Sequence, residues 1–267
     1  MKQSKEHNAT FWDHLDELRK VIFRIAIAVC VLGFVAFLNK EFLFNLVFAP
    51  HRSDFITYRM LCRLGETFSL PGLCPEEFRV ELINTRLASQ FLTHLTVSAF
   101  AGLLVASPYV VFQLFGFVKP ALYEHERKYS GRVIVSSFLL FFFGVLLNYL
   151  VIFPLSFRFL GTYQVSPDVV NRIDLSSYVS TFMMLSLMMG LVFEIPVVAF
   201  FLAKIGAVTP DFLKRHRRHA CVVLLIAAAL ITPTADIFTL LLVALPMYLL
   251  YELSICVVRK AAGKTIP

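Results

Sequence analysis

The sequence predicts an all-α integral membrane protein with six transmembrane helices. Hydrophobic residues make up 58% of the 267-residue chain and charged residues only 16%, whereas soluble domains contain about 45–50% apolar and about 25% charged residues. The apolar residues are concentrated in long runs, and a helix needs about 20 mostly apolar residues to cross a bilayer. A single polytopic domain, 1–267, is expected, with spans at 21–38, 91–118, 133–153, 178–203, 220–231 and 237–258.

The runs differ in how clearly they predict a span. The first three are clear, and the third is expected to end just before Pro154. The fifth contains only 12 apolar residues before Thr232, which is short of a full crossing and is also compatible with a re-entrant segment. Helix-breaking prolines lie in or beside every run except the first, which predicts kinked helices: Pro108, Pro154, Pro196, Pro233 and Pro246.

The distribution of basic residues predicts the orientation. Lys and Arg are retained preferentially on the cytoplasmic side of a membrane, where they face an anionic lipid surface. With six crossings, 17 Lys and Arg lie on the face that holds both termini and 8 on the opposite face. Both termini are therefore predicted to be cytoplasmic, and residues 39–90 form a long first loop on the exported side.

Several classes of function are not expected from this sequence. The 28 phenylalanines lie in uncharged runs rather than among Lys and Arg, as an aromatic platform for nucleic acid requires. The sequence contains no phosphate-binding loop, no Ser/His/Asp arrangement and no metal-ligand spacing, so we expect no enzyme, metal or cofactor. Cys62 and Cys74 share the exported loop, where they either form a disulfide or remain free thiols.

Acidic residues stand out in the mostly basic segments on the predicted cytoplasmic side. They are candidates for capturing a cation: Asp13, Asp16 and Glu17 in the head, and Glu124 and Glu126 in the next cytoplasmic loop. The alternative for the head is an ordinary solvated helix start in which Asp16 pairs with Lys20. Four head residues share one helical face through their 4, 3, 4 spacing: Asp13, Glu17, Lys20 and Arg24.

Glu194 lies within the fourth run, where a charged carboxylate costs about 2.5–3.5 kcal/mol. Three interpretations follow: a coupling carboxylate of a transporter, a polar contact for another helix, or a neutral glutamic acid bonded to a neighbour such as Asn148 or Ser186. Pro196, two residues later, frees a backbone carbonyl and favours a bent helix beside a cavity.

Short motifs along nearly the whole chain, outside residues 52–89, resemble those of the TatC family, the multispanning core of the twin-arginine protein translocase. The first is HLDELRK at residues 14–20, before the first span. The others follow in order: Ala49-Pro50, QLFGF at 113–117, PALY at 120–123 with Glu126-Arg127, residues 142–154 with Gly144 and Tyr149, GLVFEIPV at 190–197, Thr232-Pro233 with Asp236, and ALPMY at 244–248 with Glu252.

This resemblance implies a six-helix, glove-shaped bundle in the bacterial inner membrane, with cytoplasmic termini and short fifth and sixth helices. It also implies a function: binding Arg-Arg signal peptides of folded precursors, recruiting single-span partner subunits of the TatA/TatB type, and export driven by the proton-motive force. A homo-oligomer within the complex is also expected.

The resemblance further implies site residues. The signal-peptide site is expected to contain Glu17, Leu18, Arg19, Phe117 and Glu126. Glu194 corresponds to an intramembrane glutamate that contacts partner subunits, and Pro50 and Asp236 correspond to residues of exported loops. Two other hypotheses stay open: a proton-coupled small-solute transporter that uses Glu194, and a passive structural membrane subunit.

Overall fold

The computed structural model of the chain describes residues 11–67, 80–118, 130–166, 168–234 and 236–262. Within these ranges the chain is mostly helical. The α-helices are α1 (Phe11–Leu38), α2 (Lys40–Phe48), α3 (Ile56–Thr67), α4 (Ser89–Val118), α5 (Ser130–Leu147), α6 (Phe153–Thr162), α7 (Leu175–Val192), α8 (Ile195–Lys204), α9 (Pro210–Arg215), α10 (Arg217–Ile231) and α11 (Ile237–Ala262). A 3₁₀ turn (Ala49–His51), a π-helical turn (Asn148–Ile152) and two strands, β1 (Glu81–Ile83) and β2 (Arg172–Asp174), complete the described elements.

The helices confirm a multi-pass, all-α membrane protein. Five helical stretches of the described residues are long and apolar enough to cross a bilayer: Leu15–Leu38, Ser89–Phe117, Val133–Thr162, Leu175–Lys204 and Ile237–Lys260. The fifth predicted segment is also helical, because it forms most of α10. With 15 residues, α10 is about 22 Å long, which is less than the hydrocarbon thickness of about 30 Å.

Two compact units are formed by separate parts of the chain, Met1–Lys40 with Ser98–Phe138 in the first and Glu41–Val97 with Leu139–Pro267 in the second. In the first unit, α1 and the later part of α4 touch through glycines. A Cβ atom added to Gly102 would lie 2.5 Å from the Gly33 nitrogen and 2.6 Å from the Val29 oxygen. The two backbones approach this closely only because neither contact glycine carries a side chain.

The second unit uses the same device where α5 meets α7. A Cβ on Gly144 would lie 2.5 Å from the Met189 oxygen, and one on Gly190 would lie 2.7 Å from the Phe141 ring. One helical turn beyond Gly144, the fully buried Asn148 donates from Nδ2 to Ser186 Oγ at 2.8 Å. This hydrogen bond joins α5 to α7 inside the unit while the glycines keep the helices close, and the Asn148 side-chain oxygen is buried without a hydrogen-bond partner among the described residues.

The helix of the third predicted span does not end at Pro154, contrary to expectation. The helix passes from α5 through the π-helical turn into α6, with Pro154 in the first turn of α6. A proline has no N–H, so Pro154 leaves the Leu150 carbonyl without its usual helical donor. The Thr57 hydroxyl of α3 donates to that carbonyl. A tertiary contact therefore satisfies the break that the proline introduces, and the helix continues.

The first predicted loop contains ordered structure around Pro50. The Tyr58 hydroxyl donates to the Pro154 carbonyl at 2.8 Å and reaches the Pro50 carbonyl at 3.2 Å. Burial raises the pKa of Tyr58, so its hydroxyl stays neutral and able to donate. Pro50 itself is buried within the 3₁₀ turn. The loop is thus anchored on the π-helical and α6 region of the second unit.

Two short strands tie the segments before α4 and α7 together. β1 and β2 pair in parallel, with Glu81 opposite Arg172 and an exposed ion pair between them at 3.6 Å. At the end of β2, Asp174 caps α7 by accepting from the Ser176 amide at 2.8 Å. Asp174 also accepts from the Thr85 hydroxyl at 2.9 Å, so one carboxylate joins the cap of α7 to the segment after β1.

Candidate functional site: a charged cleft on α1 and α4

A cleft of about 540 Å³ lies between the start of α1 and the end of α4, within the first unit. Its lining comes from two helical faces: Asp16, Glu17, Lys20, Val21 and Arg24 of α1, with Gln113, Gly116 and Phe117 of α4. Successive lining residues are one or three positions apart on both helices, so each set projects from one side of its helix. Regular helix geometry therefore builds the cleft.

The charges of the cleft are separated along α1. Asp16 and Glu17 form an acidic turn near the start of the helix, and Lys20 and Arg24 follow at successive turns toward its apolar part. All four side chains are exposed. Among the residues that the structure describes, no ion pair engages any of the four. Both signs of charge are therefore available to a ligand.

The α4 side of the cleft is amide-bearing and aromatic. Gln113 donates from Nε2 to the Tyr109 hydroxyl at 2.6 Å, which orients the amide and leaves its oxygen as an acceptor. A Cβ atom added to Gly116 would meet no other atom within 4 Å, so the wall is open there. Phe117 is half-buried and supplies a ring face. Carboxylates, an amide oxygen and an aromatic ring together suit a planar cation.

Comparison with known proteins identifies the family. The profile of the family described as Sec-independent protein translocase protein (TatC) matches residues 13–246. The chain belongs to the TatC family. A TatC protein from Blattabacterium sp. subsp. Periplaneta americana is 35% identical over 95% of this chain and 96% of its own length. The TatC protein of Escherichia coli (strain K12) is 32% identical over 94% of this chain and 88% of its own length.

A solved structure agrees in fold. The crystal structure described as the twin arginine translocase receptor TatC superposes with a TM-score of 0.72 and 28% identity, covering 93% of this chain and 99% of that one. The resemblance inferred from the motifs is thereby confirmed, as is the all-α membrane fold. This chain is a TatC-type component of a protein translocase.

The structure brings together part of the signal-peptide site expected for TatC. Glu17 and Phe117 both line the cleft. Leu18 is half-buried and Arg19 is exposed, but neither is among the lining residues. Glu126 lies outside the described residues. Two of the five residues expected from the TatC motifs therefore line the cleft. The assignment of all five to a signal-peptide site stays a prediction.

Six further lining residues were not assigned to the signal-peptide site from the sequence: Asp16, Lys20, Val21, Arg24, Gln113 and Gly116. Gln113 and Gly116 belong to the motif that led to the TatC resemblance, and Arg24 shares a helical face with Glu17. Their helical spacing relative to Phe117 and Glu17 is the signal that places them beside the expected residues. The sequence predicts which residues share a face of one helix, but it does not predict that α1 packs against α4.

The remaining predicted TatC positions lie in the second unit. Glu194 sits at the break between α7 and α8, half-buried, and its carbonyl accepts from the Val197 and Val198 amides at 2.9 Å. Asp236 Oδ1 accepts from the Thr239 amide at 2.7 Å, so this carboxylate caps the start of α11. The regular helix is interrupted at Phe193 and Glu194, just before Pro196.

The cysteines divide into two groups. Cys62 is disulfide-bonded, and Cys30, Cys221 and Cys256 are free. Cys74 lies outside the described residues, so its pairing with Cys62 stays a prediction. Within the described part of the chain, no group of three or more His, Cys, Asp or Glu is placed to hold a metal ion.

Proposed function

We propose that this chain is the receptor subunit of a twin-arginine translocation system in the bacterial inner membrane, with both termini cytoplasmic. In this proposal it binds the Arg-Arg signal peptides of folded precursors in the cleft between α1 and α4. It then recruits single-span partner subunits of the TatA/TatB type, as a homo-oligomer within the complex, for export driven by the proton-motive force.

The acidic turn of the cleft carries the proposal. A guanidinium presents a planar fork of N–H donors that a carboxylate accepts in bidentate fashion, and an ammonium matches that fork poorly. Asp16 and Glu17 line the cleft without an ion pair to any described residue. Phe117 offers a ring on which a guanidinium can stack. We propose that the site also includes three residues that are not among the lining residues of the cleft: Leu18, Arg19 and Glu126.

Site-specific photo-crosslinking tests this proposal. A photoreactive residue placed at Gly116 or Gln113, which leaves the acidic turn intact, is expected to crosslink to a radiolabelled precursor with an intact Arg-Arg signal and to lose the adduct when the pair is Lys-Lys. The matched control is the same residue at Lys40, beyond the opposite end of α1, which is expected to give no adduct. Equal adducts with both signals would contradict the proposal.

Partner recruitment is proposed to use the break between α7 and α8. Glu194 places a carboxyl group inside the 30-residue apolar stretch Leu175–Lys204, where polar groups mark functional contacts. A crosslinker at Val198, whose side chain is exposed one turn beyond, is expected to capture a single-span subunit. Replacing Glu194 by Ala is expected to reduce that adduct while leaving precursor crosslinking at Gln113 intact. We propose that Pro50 and Asp236, which lie in the predicted exported loops, hold those loops in place and do not contact the signal peptide.

A further inference from the structure

The charge pattern of the cleft is not explained by a doubly cationic peptide alone. Lys20 and Arg24 line the same cleft as Asp16 and Glu17, and their positive charges oppose the binding of two guanidinium groups. No described residue forms an ion pair with either of them. Lys20 and Arg24 therefore favour a ligand with an anionic group, which the Arg-Arg pair of a signal peptide does not supply.

The order of the charges along α1 predicts where the anionic group of a ligand lies relative to its cation. The acidic turn lies at the outer end of the helix, and the basic turns lie toward the apolar stretch that continues to Leu38. The helix rises about 5.4 Å per turn, so the acidic turn and Lys20 are about one turn apart. A ligand that matches this pattern carries a cation outermost and an anion about one turn deeper.

Below the basic turns, α1 presents a continuous apolar stripe on the same face. Ile27, Val31, Phe34 and Leu38 follow Arg24 at spacings of three and four, and each is 58–67% exposed. Residues with this spacing share one side of a helix. A ligand whose charged head enters the cleft therefore has an apolar surface directly beneath the head for hydrocarbon chains.

We propose that the resting cleft holds the headgroup of an ethanolamine phospholipid, which an Arg-Arg signal peptide must displace. The ammonium group lies outermost in such a lipid and donates to Asp16 and Glu17. The phosphate lies deeper and accepts from Lys20 and Arg24, and the acyl chains follow the stripe from Ile27 to Leu38. The displacement step rests on the proposed function, whereas the lipid site itself does not.

Lipid retention by the purified chain tests the site. Native mass spectrometry of the full chain in detergent, with added phosphatidylethanolamine, phosphatidylcholine or phosphatidylglycerol of identical acyl chains, is expected to show preferential ethanolamine adducts. Phosphatidylcholine keeps both charges but has no N–H donor, and phosphatidylglycerol has no cation. Replacing Lys20 and Arg24 together by Gln is expected to reduce ethanolamine-lipid retention about tenfold or more, as expected for lost charge-assisted hydrogen bonds.

Matched variants make the result specific. Asp16→Asn with Glu17→Gln is expected to remove the preference for ethanolamine over choline and to leave phosphate-dependent retention in place. Lys40→Gln, an exposed basic residue beyond the far end of α1, is expected to change nothing. Retention that is equal for the three lipids, or unchanged when Lys20 and Arg24 are replaced, overturns the proposal.

Displacement is tested in nanodiscs with the same fraction of phosphatidylglycerol and either ethanolamine or choline lipid as the remainder. The Arg-Arg peptide is expected to bind more weakly with the ethanolamine lipid, and the difference is expected to vanish in the Lys20→Gln, Arg24→Gln variant. Equal affinities in the two nanodiscs overturn displacement. Absence of peptide binding in both overturns the receptor function and the displacement with it, while the retention measurement decides the lipid site independently.

Discussion

Arg217 Nη2 lies 2.7 Å from Glu252 Oε2, so a salt bridge joins the start of α10 to α11. The second carboxylate oxygen of Glu252 lies 3.4 Å from the Tyr248 hydroxyl. One residue before Glu252, Tyr251 donates to the Leu213 carbonyl of α9 at 2.8 Å. The short helices α9 and α10 are thereby held to the long helix α11 by polar contacts as well as by packing.

Replacing either partner of this salt bridge is expected to destabilise the protein modestly. The two side chains are 47% and 31% exposed, and partly exposed ion pairs contribute about 0.2–1 kcal/mol. Arg217→Gln and Glu252→Gln are each expected to lower the thermal midpoint, and the double variant is expected to be no worse than the more damaging single one. Thermal unfolding of the four proteins in one detergent measures this coupling.

Arg218→Gln is the matched control, because Arg218 is the exposed neighbour on the same helix and belongs to no ion pair among the described residues. It is expected to leave the midpoint unchanged. Additive losses in the double variant would show that Arg217 and Glu252 act independently.

Gly102→Ala is expected to destabilise the contact between α1 and α4. The added methyl group would lie 2.5–2.7 Å from backbone atoms of Gly33 and Val29, and backbone atoms cannot rotate away as a flexible side chain can. Forcing such a methyl group into a packed contact costs about 1–3 kcal/mol. The thermal midpoint of unfolding and the crosslinking yield at Gln113 are both expected to fall.

Gly131→Ala is the control for this substitution. Nothing lies within 4 Å of a Cβ at Gly131, and alanine favours a helix over glycine by about 1 kcal/mol. Its stability is therefore expected to stay the same or rise. A Gly102→Ala protein as stable as the original would mean that α1 and α4 separate without cost.

The helical elements were predictable because apolar composition and length determine which segments enter a membrane. The residues at which the helices end were less predictable. Pro154 was expected to end the third span, but the helix continues there. The Thr57 hydroxyl, 93 residues before Leu150 in the chain, donates to the Leu150 carbonyl that the proline leaves free. Glu252 was visible as a charge in the sixth apolar run, yet its partner Arg217 lies 35 residues away. Local sequence patterns do not contain such long-range pairings.

The residues that line the cleft were predictable to a similar extent. Glu17 and Phe117 were expected from the family motifs, and both line the cleft. The spacing of Glu17, Lys20 and Arg24 already placed them on one helical face. What the sequence does not reveal is that α1 and α4 enclose one cleft, because that depends on the close approach of Gly33 and Gly102.

Thr57→Val is expected to weaken the helix at Pro154. The substitution keeps the shape of the side chain and removes the hydroxyl that donates to the Leu150 carbonyl. Leaving a buried carbonyl without a donor costs about 1–3 kcal/mol, and because this carbonyl is only partly buried, a loss near the lower end, about 1 kcal/mol, is expected. Thr162→Val is the control, since the Thr162 hydroxyl is exposed and bonds only within its own helix, to the Arg158 carbonyl. Equal thermal midpoints for the two variants would contradict the role of Thr57.

Acid is expected to weaken the cap of α7. Hydrogen bonds from Ser176 and Thr85 lower the pKa of Asp174 from 3.8 to about 2. Because the folded carboxyl binds its proton less readily than the unfolded one, Asp174 contributes stability above about pH 4 that is lost as the pH falls toward about 2. The thermal midpoint of the protein is therefore expected to fall over this interval, by more than that of an Asp174→Asn variant.

The comparison isolates one carboxyl group, because every other acidic residue is shared by the two proteins. Asp168→Asn, in the exposed loop before β2, serves as the control and is expected to follow the original protein. The Asp174→Asn variant keeps a side-chain oxygen that can accept from the Ser176 amide but cannot be protonated in this range. If its midpoint fell with pH as steeply as that of the original protein, the hydrogen bonds of Ser176 and Thr85 would not be the source of acid sensitivity at this end of α7.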